Sequence, residues 1–395
     1  MKFSIEKKEL VSVLNQLQSV FGHRNSKGVH AHVKLHVEND ILTASAICPD
    51  GISMIVTAKD SITNVTPGEI CIQGHRLLSI AKVLIDGKNI IQVEQHSTGG
   101  APQVTITNEC DERSIFKKRS IFKIVECQRA EEFPPMHEMN SLSELSLETS
   151  GVKKIIKETV LAIGNRPNLN GIYMEVVQDN AESFLRMVSS DGNRLSWSQT
   201  KIESGSLEPD MKKILQKSLV SDQSIREIQK CCEQDGIIKF SFGDNGFSIQ
   251  TQNIVMNSSF LAGSFPEYRG LLNKMILPNV AKIDRNATLD VCRRVVAVTG
   301  GKDNNSLHMV FSEAQVDFTL GRKEDSLFQD QVQIDYIGKE IGFTLKSTYF
   351  EQTLKELDSE HILIHLGDNE NSACKITIPD YKHCEFIIMP IKLTS

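Results

Sequence analysis

The chain states one pattern three times. Phe133-Pro134 closes a first stretch, Phe265-Pro266 closes the next 132 residues later, and Met389-Pro390 falls a further 124 residues on, near the end of the 395-residue chain. A period this long predicts three copies of a domain, not a solenoid of short repeats. Residues 3–24 (FSIEKKELVSVLNQLQSVFGHR) lie over residues 145–166 (LSLETSGVKKIIKETVLAIGNR) at a constant offset of 142. Ser4 meets Ser146, Glu6 meets Glu148, Leu10 meets Val152, Val13 meets Ile155, Leu14 meets Ile156, Gly22 meets Gly164 and Arg24 meets Arg166. The third copy is fainter. At an offset of 279, Leu289, Cys292, Val296 and Gly301 fall on Leu10, Val13, Leu17 and Gly22.

Each copy follows one order: a strand, an amphipathic helix, a strand pair, a second helix and a final run of strands. Leu10, Val13, Leu14, Leu17 and Phe21 recur at helical spacing and make one apolar stripe. The second helix of the first copy is expected from His75 to Ile85. Gly243-Asp244-Asn245 and Gly367-Asp368-Asn369 supply turn residues at equivalent places in the second and third copies. Two helices and about eight strands per copy predict an α+β fold. It would consist of three tandem domains, residues 1–128, 139–266 and 267–395, each with two helices packed on antiparallel sheets. One segment departs from this plan: RSIFK occurs at 113–117 and again at 119–123.

Composition excludes several classes. No apolar run approaches 18 residues, so no membrane-spanning helix is expected, and the start MKFSI has no signal-peptide core. The nine cysteines are odd in number and contain no C-x-x-C pair, which predicts reduced thiols, a cytoplasmic protein and no zinc. Net charge is −6, which does not suggest a nucleic-acid binder, yet the charge is unevenly spread. The helix candidates 6–20, 75–86, 151–163, 211–217, 219–232, 281–296 and 346–358 together carry +7, leaving −13 on the remainder.

No catalytic constellation is present. Thr299-Gly300-Gly301-Lys302 lacks the upstream glycine and the following hydroxyl residue of a phosphate loop. Neither G-x-S-x-G nor H-E-x-x-H occurs. Asp50-Gly51 and Asp191-Gly192 are equivalent turn positions. No catalytic residue, metal or cofactor is therefore expected. A metal-dependent DNA-processing enzyme is the competing reading, and no carboxylate set recurs with metal-ligand spacing to support it. The basic residues carry more. Asn15, Lys157 and Arg294 align at one helical position off the apolar stripe. Lys153 shares a face with Lys157, Lys154 lies beside them, Lys212, Lys213 and Lys217 form a second cluster, and Arg293, Arg294 and Lys302 a third. Like charges at such spacing are mildly unfavourable in isolation and suit an anionic ligand. Without interleaved aromatics, the pattern fits diffuse contact with phosphates rather than base readout.

Several motifs bear a resemblance. Ser190-Asp191-Gly192-Asn193-Arg194-Leu195, Gly263-Ser264-Phe265-Pro266-Glu267-Tyr268-Arg269 and Ile388-Met389-Pro390-Ile391-Lys392-Leu393 stand in order on a threefold repeat, after a similar start at Met1 to Leu17. The chain resembles the bacterial sliding clamp family, the β subunit of DNA polymerase III. That resemblance implies a non-enzymatic homodimeric ring around double-stranded DNA, which tethers the replicative polymerase, the clamp loader and other proteins. It implies DNA contacts at Arg24, Arg76, Lys82, Lys153, Lys154, Lys157, Arg166, Lys212, Lys213, Lys217, Arg293, Arg294 and Lys302. It also implies a groove for partner peptides walled by Leu169, Ser190, Gly192, Arg194, Leu195, Pro266, Leu271, Tyr349, Ile388, Met389, Pro390, Ile391 and Leu393. An apolar groove with Met at its lip suits short hydrophobic peptides. Gly270 stands where the family often carries Arg, and Asn193 where it often carries His. The alternative that Gly270 raises is a clamp paralogue that binds partners without loading on DNA.

Overall fold

The structure is a computed structural model. It describes residues 1–22, 28–59, 61–94, 102–109, 119–124, 127–136, 143–205, 218–300, 306–320 and 328–391. The first copy runs β1 (Lys2–Glu6), α1 (Lys7–Leu17), β2 (His32–Glu38), β3 (Ile41–Ile47), β4 (Ser53–Lys59), β5 (Ile62–Thr66), β6 (Gly68–Gln73), α2 (Gly74–Val83), β7 (Lys88–Glu94), β8 (Gln103–Glu109) and β9 (Arg119–Ile124). The second runs β10 (Ser143–Glu148), α3 (Thr149–Val160), β11 (Gly171–Asp179), β12 (Glu182–Ser190), β13 (Arg194–Lys201), β14 (Ser204–Gly205), β15 (Leu219–Ser221), α4 (Asp222–Cys231), β16 (Ile237–Gly243), β17 (Gly246–Gln250) and β18 (Ile254–Ser259). The third, after the short α5 (Arg269–Asn273), runs β19 (Asn279–Asp284), α6 (Arg285–Thr299), β20 (Ser306–Phe311), β21 (Gln315–Leu320), β22 (Phe328–Ile337), β23 (Ile341–Lys346), α7 (Ser347–Glu356), β24 (His361–Leu366), β25 (Cys374–Ile378) and β26 (Tyr381–Ile388).

Each copy contributes two antiparallel sheets, and the sheets of neighbouring copies fuse. The order β5-β1-β7-β8-β9 stands alone, β14-β10-β16-β17-β18 continues into β4-β3-β2-β6, and β15-β11-β12-β13 continues into β26-β25-β24-β19 and, through β22, into β21-β20-β23. The fusions are the ladders β4·β18, with Val56 opposite Ile254 and Met54 opposite Met256, and β13·β26, with Ser198 opposite Cys384 and Ser196 opposite Phe386. Fusion explains why a threefold sequence gives two compact units. Over the described residues, one unit is Met1–Ser146, Gly205–Leu207 and Lys230–Ser259, and the other is Leu147–Ser204, Glu208–Gln229 and Phe260–Ser395.

The helices form where the apolar spacing predicts. In α1 the buried residues are Leu10, Val13, Leu14 and Leu17, in α3 they include Val152, Ile155 and Ile156, and in α6 they include Leu289, Val291, Cys292 and Val295. Each buried Leu, Ile or Val contributes on the order of 1.5–3 kcal/mol of transfer free energy. That burial holds the helices, since α1 and α3 have no side-chain cap. At α6 the Asp284 carboxylate accepts the Ala287 N–H at 2.6 Å, and Gly300 ends the helix at φ 64°.

Two sequence alignments are corrected. The strand–helix boundary falls at Glu6/Lys7, Glu148/Thr149 and Asp284/Arg285, so the third copy stands at an offset of 278 from the first rather than 279. Gly300, not Gly301, then matches Gly22, and both are left-handed, at φ 64° and 67°. Arg293, not Arg294, occupies the place of Asn15 and Lys157, and all three are exposed. The apolar residues alone did not determine this register, because Thr288, which is fully buried on α6, reads as polar. The third proline closure also differs. Phe133 and Phe265 lie well beyond β9 and β18, whereas Met389 follows β26 directly.

Among the described residues, none of the eight cysteines forms a disulfide and all are buried. Burial pushes the thiols of Cys71, Cys292 and Cys374 up to about 12, which leaves them protonated and unreactive. No helix among the described residues is long and apolar enough to cross a membrane.

Candidate peptide groove and helix cations

The Ser190–Arg194 turn is built by one aspartate. The Asp191 carboxylate accepts the N–H groups of Asn193 at 2.8 Å and Arg194 at 3.0 Å, and Arg194 Nε at 3.1 Å. Gly192 holds φ 95° at its apex, and Ser190 Oγ donates to the Arg194 carbonyl at 2.7 Å. Leu169 reaches this turn through Gly164, where a Cβ would lie 2.9 Å from the Asp191 Cα and 3.2 Å from the Leu169 Cβ. No side chain fits there, so the glycine that repeats Gly22 here serves close approach.

From this turn Arg194 crosses to the third copy. Its guanidinium lies 4.1 Å over the Tyr349 ring, and Nη1 donates to Gln352 Oε1 at 2.6 Å. Lys346 Nζ lies 4.7 Å from the same ring. Burial lowers the Arg194 pKa and the Asp191 charge opposes it. The last strand closes the arrangement. Arg194 pairs with Ile388 and Leu195 with Ile387 across β13·β26, Met389 N–H donates to the Asn193 carbonyl at 2.8 Å, and Ile391 N–H to the Thr344 carbonyl at 2.9 Å.

Strand alternation then separates the expected walls. Ile388, 1% exposed, belongs to the large core of the third copy against which Tyr349 packs, so it supports the groove from within and does not line it. Leu195 and Ile387 point to the other face, where they pack with Val188, Trp197 and Tyr268. Met389 stays 41% exposed, and Pro390 and Ile391 are half-buried.

Pro266 and Leu271 arrive on a separate segment. Phe265 stacks on Tyr173 at 5.5 Å, Tyr268 Oη donates to Glu175, and Arg269 pairs with Glu175 at 2.7 Å. Leu272 reaches the cluster of Leu195 and Ile387, while Leu271 remains 47% exposed and Pro266 exposed. Glu175, Gln352 and Lys346 are the residues sequence reasoning missed. Nothing in their local sequence marks them, because Glu175 meets Tyr268 and Arg269 only through side-chain contacts 93 residues or more along the chain. Leu393 lies outside the described residues.

The helix cations separate into groups. Arg24, Lys212, Lys213, Lys217 and Lys302 lie outside the described residues. Lys153 and Lys157 are exposed one turn apart on α3, with Glu356 of α7 3.7 Å from Lys157. Lys82 is exposed on α2 and Arg76 is half-buried. Arg293 pairs with Asp290 at 2.8 Å, and Arg294 with Asp330 of β22. Two further residues stand apart from these groups. Lys154 does not join the exposed pair, because its ammonium sits 4.0 Å over the Tyr381 ring. Arg166 lies past the end of α3, with Nη1 3.9 Å from where a Gly192 Cβ would be, so it borders the groove turn.

Behind Lys154, Glu158 is 1% exposed and its carboxylate accepts Ser198 Oγ at 2.5 Å. Burial raises its pKa from the usual 4.5, against Ser198 and Lys154, which lower it. A raised carboxylate pKa means that the folded state holds the proton more tightly. The resulting stabilisation is complete below 4.5 and is lost as pH rises through the folded value. Thermal melts from pH 4 to 8 should therefore show wild type losing stability relative to Glu158→Gln as pH rises. A difference independent of pH would contradict this.

Asp284, Glu360 and His361 are the one group of three potential metal ligands among the described residues. One oxygen of the Asp284 carboxylate, Oδ1, is already used to cap α6.

Antiparallel sheets that fuse between neighbouring copies, with a helix after the first strand of each copy, define a clamp-type domain plan used three times. Family models for the N-terminal, central and C-terminal domains of the DNA polymerase III beta subunit match residues 1–137, 146–267 and 277–392. The chain belongs to the DNA polymerase III beta subunit family. Its relatives include the beta sliding clamps of Haemophilus influenzae, 24% identical over 401 residues, and of Caulobacter vibrioides, 24% identical over 402 residues, each covering 100% of both chains. Two solved structures share the fold. One is the sliding clamp of Bartonella birtlesii bound to griselimycin, with a TM-score of 0.84 at 19% identity and 100% of both chains covered. The other is the Caulobacter crescentus clamp, with polyethylene glycol in a putative tethering region, a TM-score of 0.84 at 21% identity, and 100% and 99% covered. The chain is a DNA sliding clamp, a processivity factor and not a catalyst.

Proposed function

We propose that two copies of the chain close head to tail into a ring of six domains around duplex DNA in the cytoplasm, with domain boundaries near 1–128, 139–266 and 267–395. The observation that carries this is a joint left open. In the first and second copies, the last strand of one sheet (β4, β13) pairs with the last strand of the next copy's second sheet (β18, β26). The third equivalent pair is β22 with β9. Among the described residues, β9 is a sheet edge and Phe328–Gln333 of β22 has a strand on one side only.

Pseudo-symmetry assigns the register. Ile106, Ile249 and Ile376 face Phe122, Met256 and Phe386 within their sheets, and Ala46, Ser189 and Leu320 face Met54, Ser196 and Phe328. Since Met54 meets Met256 and Ser196 meets Phe386, Phe328 meets Phe122 of the second copy. Ile121, 53% exposed, stands on the open edge β9.

In this ring the exposed helix cations Lys82, Lys153, Lys157 and Arg293, with Arg24, Lys212, Lys213, Lys217 and Lys302, contact phosphate without reading bases. Weak, salt-screened contacts permit sliding, since encirclement and not affinity retains the ring. The test is retention. After loading, the protein should stay on nicked circular DNA through gel filtration at high salt and be lost when the DNA is linearised. Equal retention on both forms would refute encirclement.

The groove at Arg194, Tyr349 and Met389 takes short hydrophobic segments of the replicative polymerase, the clamp loader and other partners, and a griselimycin-type ligand. Gly270 lies at its edge, where a Cβ would find only Glu267 Cγ, at 4.0 Å. Gly270→Arg is expected to fold with unchanged or slightly higher Tm and to bind an acidic hydrophobic peptide several-fold more tightly, as read by fluorescence anisotropy. Weaker binding would show that the open edge is itself used.

A further inference from the structure

The three joints of the ring are not chemically alike. In the second and third copies a residue of the helix after the first strand hydrogen-bonds to the joint strand, and the repeat assigns the equivalent residue of the first. By the corrected register those helix residues are Gln16, Glu158 and Arg294, and the strand residues are Val56, Ser198 and Asp330. Across the joint, Val56 faces Ile254 and Ser198 faces Cys384, and by the same register Asp330 faces Ser120 of the second copy. Polarity changes in step on both sides. The first pair is wholly apolar, with Val56 1% and Ile254 6% exposed, and the nearby Gln16 Oε1 is buried without a hydrogen-bond partner. The second is a neutral hydroxyl beside a thiol, with Ser198 Oγ donating to Glu158 at 2.5 Å. At the third, Arg294 Nε donates to Asp330 Oδ2 at 2.7 Å, and Asp330 Oδ1 accepts the Gln331 N–H at 2.9 Å.

We propose that Arg294 and Asp330 of one copy and Ser120 of the next form a polar lock that makes the chain-to-chain joint selective for β9. The proposal rests on the homodimer inferred above. The chain carries three strands of the β9 type and three of the β22 type, and β4·β18 and β13·β26 are completed within the folded chain, so the wrong closures are those open to a chain that has not yet formed its own joints. An ion pair pressed against Ile254 would lose water and gain no hydrogen bond, and Cys384 offers only a weak S–H donor, whereas the Ser120 hydroxyl can donate strongly to the carboxylate. The lock penalises the wrong closures more than it strengthens the right one. Asp330 is 24% exposed in the single chain, so it is only partly desolvated before the joint closes.

The test is the dimer dissociation constant of the full chain by sedimentation equilibrium, with far-UV circular dichroism melts to check folding. Ser120→Ile, which imports the residue at the Ile254 position, should weaken dimerisation at least tenfold, and Ser120→Thr should stay within about threefold of wild type. The triple variant Ser120→Ile, Asp330→Val, Arg294→Gln installs the full set of the first joint and should recover most of the loss. Unchanged dimerisation of Ser120→Ile, or a triple variant no better than Ser120→Ile, would overturn the lock while leaving the ring intact. A wild-type chain that stays monomeric at every concentration would overturn the dimer and the lock together.

Discussion

Phe122→Asp is expected to turn the protein into a monomer at concentrations where wild type sediments as a dimer of twice 44.1 kDa. Phe122 is half-buried on the open edge β9, and its equivalents Met256 and Phe386 are 0% and 1% exposed within their completed joints. Closing the third joint should bury it against Phe328 to a similar degree. Replacing the ring with a carboxylate removes that apolar contact and places an unpaired charge in the joint. Such central interface positions are commonly worth 2 kcal/mol or more, and about 3 kcal/mol corresponds to a dissociation constant roughly a hundredfold higher. Phe122 also lies opposite the buried Ile106 within its own chain, so some loss of monomer stability is expected beside the loss of the dimer. A variant that remains dimeric would place the joint elsewhere, and one that unfolds would be distinguished by its melt.

Removing residues 391–395 is expected to abolish binding of a labelled hydrophobic peptide, with affinity falling at least thirtyfold, while the dimer persists. Ile391 ties the chain end to Thr344, and Met389 to Asn193, so the cut frees one side of the groove and loosens the exposed methionine. The core residue Ile388 is retained, together with its pairing to Arg194, so the last strand should hold. Arg194→Ala tests the same groove from the opposite wall. It leaves Asp191, Gln352 and the Tyr349 face without their partner, and a parallel loss of peptide binding is expected. Undiminished binding by both variants would remove the groove from this junction.

The acidic chain with cationic helices is explained by where the charges lie. Several helix cations already have carboxylate neighbours, as in Lys157 with Glu356 and Arg293 with Asp290. Exposed ion pairs of this kind are worth little, so they can exchange with phosphates at small cost. That suits the proposed ring, which would hold DNA loosely.

Much of the fold could be read before any coordinate. Leu10, Val13, Leu14 and Leu17 predicted α1 and its buried face, and the offset of 142 placed α3 correctly, because apolar spacing and helix burial are the same physical fact. The third helix was misplaced by one residue because its buried face includes Thr288. Ser190–Arg194 was legible as a turn because Asp191 and Gly192 carry turn chemistry locally. Glu175 beneath Tyr268 and Arg269, and Lys154 withdrawn against Tyr381, were not legible, since each depends on a partner far along the chain.

By itself the sequence determined that one domain plan is used three times and that positive charge gathers on its helices, because periodicity and composition are local properties. Only the tertiary structure decided that these three copies fuse into two units, and that, among the described residues, β9 and the Phe328–Gln333 half of β22 each keep one side without a strand. Strand pairing is a long-range choice. Each backbone edge must find a hydrogen-bonding partner, and which edges succeed within one chain is settled by geometry that no short stretch of residues contains.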